Sequence, residues 1–115
     1  GIYFTDPQMA IVGRSFEQLK GTDIVIGDSA FNSPRHEVWK KTKGRIHVYL
    51  DAHSGQILGA ELLGHQAEHL AHLLALAITH KMTADQFLEM PIYHPSAEEV
   101  LKKALDKARF QLSAA

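Results

Sequence analysis

The chain has no cysteine among its 115 residues. Disulfide stapling, a thiol nucleophile and a thiolate metal site are therefore excluded within it. No apolar run approaches the roughly 20 residues needed to cross a bilayer, and no signal peptide opens the chain. An excess of one charge is missing too. Lys and Arg number 12 against 13 Asp and Glu, a formal net of -1, which gives no electrostatic case for nucleic acid or an anionic membrane. Glycine-rich turns of the Gly-x-Gly-x-x-Gly kind, which cradle dinucleotide phosphates, are also absent.

What is present is a globular composition, 45% hydrophobic. Its length suits one domain over residues 1–115 with an ordinary core. A core that needs no disulfides fits a cytoplasmic protein.

The first half reads as strands. Ile2-Tyr3-Phe4-Thr5 is a short strand stopped by Asp6-Pro7, and Met9-Ala10-Ile11-Val12-Gly13 is a second. Ser15 with Gln18 makes a capping box for a one-turn helix over 16–20, with Gly21 as its terminator. The β-branched run Asp23-Ile24-Val25-Ile26-Gly27 is the next strand. Residues 31–35 read as a loop and 37–41 as extended. From 45 to 50 the chain alternates, placing Ile46, Val48 and Leu50 on a core face and Arg45, His47 and Tyr49 on the other. A turn over 51–55 joins this strand to one over 56–63, an antiparallel hairpin with Gly59 inside it.

The second half reads as helices. Residues 65–81 carry Leu70, Leu73, Leu74, Ala77 and Ile78 at helical spacing. Thr83 caps a shorter helix over 84–89, with Phe87 and Leu88 inward and Pro91 ending it. Ser96 or His94 caps a final helix to about Gln111, whose buried stripe is Val100, Leu101, Ala104, Leu105 and Ala108. Strands first and helices afterwards imply an α+β fold, an antiparallel sheet with helices on one side rather than alternating βαβ units.

Eight histidines is a high count for this length. His65-Gln66-Ala67-Glu68-His69 has the spacing of an inverted zinc-peptidase signature, with His65 and His69 on one helical face and Glu68 near a bound water. A zinc hydrolase also needs a third protein ligand and a walled cleft, which a chain this short hardly provides. The plainer account is a solvated or interface-facing helix surface rich in imidazole. His80 and Lys81 complement the C-terminal end of the helix dipole, and His36, His47 and His53 take loop or strand-surface positions. No metal is expected.

The stretch Tyr93-His94-Pro95-Ser96-Ala97-Glu98-Glu99 carries the chemistry. Pro95 suits a helix entrance and pushes His94 toward an extended conformation. The imidazole then projects from the mouth of the last helix, able to give or take a proton near neutral pH. Glu99, one turn in, can orient the ring and favour its charged form. Taken alone, Ser96 with Glu99 is a capping box and His94 a surface histidine.

That combination resembles the His-Pro-Thr-x-x-Glu motif of the flavin-dependent pyridine nucleotide-disulfide oxidoreductases, a family that includes dihydrolipoamide dehydrogenase and glutathione reductase. The likeness runs nearly the whole chain. Residues 3–13, Tyr-Phe-Thr-Asp-Pro-Gln-Met-Ala-Ile-Val-Gly, look like the opening of the family's C-terminal dimerisation domain. Residues 42–48 and 57–64 look like its central strands, and Ala75-Leu76-Ala77-Ile78 and Thr83-Ala84-Asp85 like its long helix and the following turn. The resemblance implies a homodimer in which His94 reaches the partner's flavin and redox-active cysteine pair, with Pro95 beside that flavin. There His94 is the acid–base catalyst of thiol–disulfide exchange and Glu99 its orienting carboxylate. It also implies FAD and NAD(P) in a full-length enzyme, on domains of their own that this chain lacks, so that the chain alone binds neither and is inactive.

Ser96 departs from the usual threonine but keeps the hydroxyl. Ile92 stands where dihydrolipoamide dehydrogenases commonly have another histidine, and His69 where the family often has glutamate. The expectation is a divergent member, an excised domain or a stand-alone paralogue. The rival is a module that keeps the fold and has lost its catalytic partner.

Overall fold

The structure, a computed structural model, describes residues 2–3, 8–30, 44–64, 67–92, 96 and 98–114. Five strands form one antiparallel sheet: β1 (Ile2–Tyr3), β2 (Gln8–Gly13), β3 (Ile24–Ala30), β4 (Gly44–Asp51) and β5 (Ile57–Gly64), in the order β1-β2-β5-β4-β3. A one-turn helix α1 (Phe16–Leu19) follows β2, and α2 (Ala67–Thr79), α3 (Ala84–Leu88) and α4 (Glu99–Ala114) follow the sheet. The expected loop at 31–35 and extended segment at 37–41 lie outside the described residues.

Register decides which face is buried. Ile46 pairs with Leu62, Val48 with Ala60 and Leu50 with Ile57, and β2 adds Ala10 opposite Leu62 and Val12 opposite Ala60. Because side chains alternate across a strand, these residues form one continuous apolar surface. The two long helices cover it: α2 packs on β2 and β5, and α4 on β3 and β4. Val100, Leu101, Ala104, Leu105 and Ala108 are fully buried, the stripe expected from their spacing.

Helix α4 comes so close to β3 that an added Cβ at Gly27 would lie 1.9 Å from the carbonyl oxygen of Ala104. Glycine there is the condition for main chain to rest on main chain. At the far end, Gln111 donates its side-chain amide to the Ile26 carbonyl at 2.7 Å.

The short elements obey their caps. Ser15 and Gln18 form the capping box of α1, and Gly21 follows with φ +86°. Thr83 and Gln86 form that of α3, with Glu89 as its C-cap. The β4–β5 turn grips the α2–α3 connection, since Ile57 N–H donates to the Met82 carbonyl and Ala84 N–H to that of Gly55, both at 2.9 Å.

Three boundaries differ from expectation. Strand β3 continues past Gly27 to Ala30 because β4 offers partners as far as Arg45. Helix α2 ends at Thr79, where the chain turns and Lys81 takes φ +54°, a left-handed conformation usual for glycine after a helix. Helix α4 runs on to Ala114.

Gly27→Ala is expected to force α4 off the sheet and cost about 3 kcal/mol, the upper part of the usual overpacking range. Urea unfolding followed by circular dichroism checks this, and an unchanged midpoint would contradict the close approach.

Candidate functional site

The site is built at the entrance of α4. Ser96 N–H donates to Glu99 Oε1 at 3.0 Å, and Glu99 N–H approaches the Ser96 carbonyl at 3.4 Å. This is the backward half of a capping box, with a carboxylate satisfying an amide that the helix leaves unpaired. Glu99 is half-buried and immediately precedes the fully buried Val100 and Leu101. The buried stripe therefore fixes where the carboxylate stands. A carboxylate accepts at two oxygens, so capping Ser96 and orienting an imidazole are compatible roles. His94 and Pro95 lie outside the described residues.

Next to this entrance is a groove of roughly 320 Å³ lined by Leu73 of α2, Met90, Pro91, Ile92, Ser96 and Glu98. Its walls are largely apolar, and Ile92, in place of a second histidine, makes them more so.

Among the described residues no group of three or more ligand side chains is placed to hold a metal. His69 is 63% exposed on α2, with Nε2 3.5 Å from Glu68 Oε1. His65 lies outside the described residues.

Dinucleotide phosphates do not fit the described helix entries. Those of α1, α3 and α4 are already taken by Gln18 and Ser15, by Thr83 and Gln86, and by Glu99. None opens on a glycine turn.

One buried polar pair escaped the sequence. Tyr49 was expected on the solvent face of β4, yet it is 1% exposed. Helix α1 folds over it: the Phe16 and Tyr49 ring centroids are 6.2 Å apart, the Tyr49 hydroxyl donates to Glu61 Oε2, and Phe16 N–H approaches Glu61 Oε1 at 3.5 Å. The crossing passes over Gly59, where an added Cβ would meet the Arg14 carbonyl oxygen at 1.9 Å. The internal glycine and the nearby tyrosine were the available signal. Burial first, and then the bond to Glu61, raises the Tyr49 phenol well above its usual range. This pair latches α1 to the outer face and has no reach to α4.

Elsewhere on that face the described residues leave the sheet uncovered. Met9, Ile11 and Leu63 floor a shallow depression of about 300 Å³ with Arg45, His47 and Glu61. Arg45 is held by Asp28.

Residues 1–105 match the pyridine nucleotide-disulphide oxidoreductase dimerisation domain. The chain belongs to this family. It is 34% identical over 110 residues to mycothione reductase of Mycobacterium tuberculosis, covering 89% of this chain and 23% of that protein. It is 29% identical over 107 residues to a mitochondrial dihydrolipoyl dehydrogenase of Arabidopsis thaliana, covering 90% and 21%. The chain thus spans about a fifth of the length of these relatives. The dimerisation-domain fold is also that of the HOCl-induced flavoprotein disulfide reductase RclA from Escherichia coli, with a TM-score of 0.84 at 23% identity over 92% of this chain and 25% of that one. The relatives differ in what they act on, as expected for a divergent member.

Tyr49→Phe should cost about 1.5–3 kcal/mol, because it leaves a half-buried carboxylate short of a donor. The raised phenol sets the sign at high pH. The bond's contribution is complete below the ordinary tyrosine value of about 10 and is lost progressively as pH rises from there through the higher folded value. Ultraviolet titration should show one tyrosine ionising late, with that late step missing in Tyr49→Phe.

Proposed function

We propose that this chain is the dimerisation part of an FAD- and NAD(P)-dependent disulfide oxidoreductase, and that His94 and Glu99 form the acid–base pair it offers to a second subunit. The observation that carries the reading is the Glu99 carboxylate held on Ser96 at the entrance of α4, directly after His94-Pro95, within the stretch that matches the family. FAD and NAD(P) would supply electron transfer from other domains of a full-length protein, and this chain would bind neither.

The chemistry of the pair follows from sulfur. An attacking thiol must lose a proton and a departing thiolate gains from receiving one. His94 performs both transfers near neutral pH. Glu99 fixes the ring and stabilises its charged form. The redox-active cysteines would lie on other domains of the full-length partner subunit, since these 115 residues contain none. The disulfide substrate is a dihydrolipoamide-like or another low-molecular-weight disulfide, and the apolar groove at Ile92 favours a substrate with little charge beside the sulfur. The assembly is a cytoplasmic homodimer.

In the full-length protein, His94→Gln should lower turnover by about 10²–10⁴-fold, the usual range for a lost acid–base group. Full activity in that variant would leave only the interaction-module reading. Glu99→Gln keeps an acceptor for the Ser96 amide, so thermal stability should hold. Removing the negative charge disfavours the imidazolium, so the pH profile of kcat/KM should move to lower pH. An unmoved profile would reduce Glu99 to a helix cap.

The 115-residue chain at pH 8.0 should sediment as a dimer. A monomer at high concentration would contradict the pairing.

A further inference from the structure

Strand β3 is the outermost strand of the described sheet, next to β4. Where its last residues face α4 there is a pocket of about 430 Å³, lined by Ser29, Ala30, Arg45, Lys103, Asp106 and Lys107. Its size is that of a small-molecule site. Three of the six side chains are cations, in a chain whose formal net charge is -1. Positive charge is therefore gathered here against an almost balanced background.

The carboxylates close by are already shared. Asp28, beside the pocket, takes both Arg45 and Lys107, the second at 3.6 Å. Asp106 takes Lys102 at 2.8 Å and Arg109 at 3.0 Å, and Arg109 also reaches Asp85 at 3.3 Å. Glu99, one turn before Lys103, accepts from the Ser96 amide, and Glu98 lines the groove beside Leu73. Lys103 makes no ion pair or hydrogen bond among the described residues. The paired cations are all about half exposed or more, so turning one from its carboxylate to an incoming anion costs little. Ser29 adds a different kind of donor. It is 5% exposed, on the helix-covered face opposite Ile46. Its hydroxyl reaches only the carbonyl of the next residue, Ala30, at 3.3 Å, long for a bond between oxygens. A buried hydroxyl held so weakly is free to donate to a better acceptor.

We propose that this pocket binds a phosphate dianion, free or as a phosphomonoester, with Ser29 donating its hydroxyl and Arg45, Lys103 and Lys107 supplying the charge. The donors converge from β3, β4 and α4. A planar carboxylate presents two oxygens in one plane, whereas a tetrahedral phosphate presents acceptors toward all three elements at once. Arg and Lys bonds to phosphate are charge-assisted and among the stronger polar contacts. A phosphodiester has one charge and two blocked oxygens, and fits less well. The site uses side chains rather than a glycine turn, so it is separate from any dinucleotide cradle. It shares no residue with the acid–base pair proposed above and stands or falls independently of it.

Amide NMR of the 115-residue chain at pH 8.0 and constant ionic strength tests this, with inorganic phosphate, methyl phosphate, dimethyl phosphate and succinate as probes. Inorganic phosphate and methyl phosphate should give saturable shifts centred on Ser29, Ala30 and Lys103, and the tighter of the two identifies the source. Dimethyl phosphate and succinate should bind at least tenfold more weakly. Lys103→Gln and Lys107→Gln, with the fold confirmed by circular dichroism, should each weaken phosphate about tenfold, the loss of one charge-assisted bond. Lys20→Gln, on α1 and away from the pocket, should leave affinity unchanged. No saturable response to either phosphate would overturn the site. Succinate binding as tightly as phosphate would overturn the ligand class. A loss in Lys20→Gln equal to that in Lys103→Gln would show diffuse attraction to surface charge, and would overturn the proposal as well.

Discussion

The contact between α4 and the sheet is the constraint on which the site depends. Five residues of that helix are completely buried, and Gly27 lets its main chain settle on β3. A helix seated so firmly has no freedom in rotation or register. The position of its first turn, and hence of Glu99 on Ser96, follows from packing that extends up to nine residues further along. The catalytic proposal is thus tied to the core: a carboxylate meant to steer an imidazole on a preceding loop has to be immobile, and the buried stripe makes it so.

Much of this was legible because local rules and the fold agree. The capping box at Ser15, the cap at Thr83, the alternation of Ile46, Val48 and Leu50 and the apolar spacing of α2 and α4 are each local signals that packing reinforces. Strand β3 was underestimated because its extension past Gly27 depends on pairing with β4, and no property of Asp28-Ser29-Ala30 announces that. Tyr49 was misplaced for a related reason. Alternation assigns it correctly to the second face, but whether that face is wet depends on where α1 lands, a non-local fact. The groove beside Ser96 was equally invisible, since Leu73 and Ile92 come together only when α2 and the α3–α4 connection fold against each other.

The Ser96–Glu99 bond also bears on how a motif should be weighed. By itself, a hydroxyl residue followed three positions later by glutamate says only that a helix begins there. The bond is of that capping type. Cap and catalytic support need not compete, because the interaction that fixes the helix start also takes up one carboxylate oxygen and so limits the side chain's freedom. The proposed dual role asks for no change in this geometry.

The sheet's two faces and the helix layer divide the labour. The inner face is sealed by α2 and α4. The outer face is closed in part by α1 through Tyr49 and Glu61, and among the described residues Met9 and Leu63 stay exposed on the rest of it. The outer side of α2 sets exposed Leu76 beside His69 and His72, and Leu73 on the same helix lines the groove at the entrance of α4. A residue that must act in a neighbouring subunit is best placed at the margin of the surface that holds the two together.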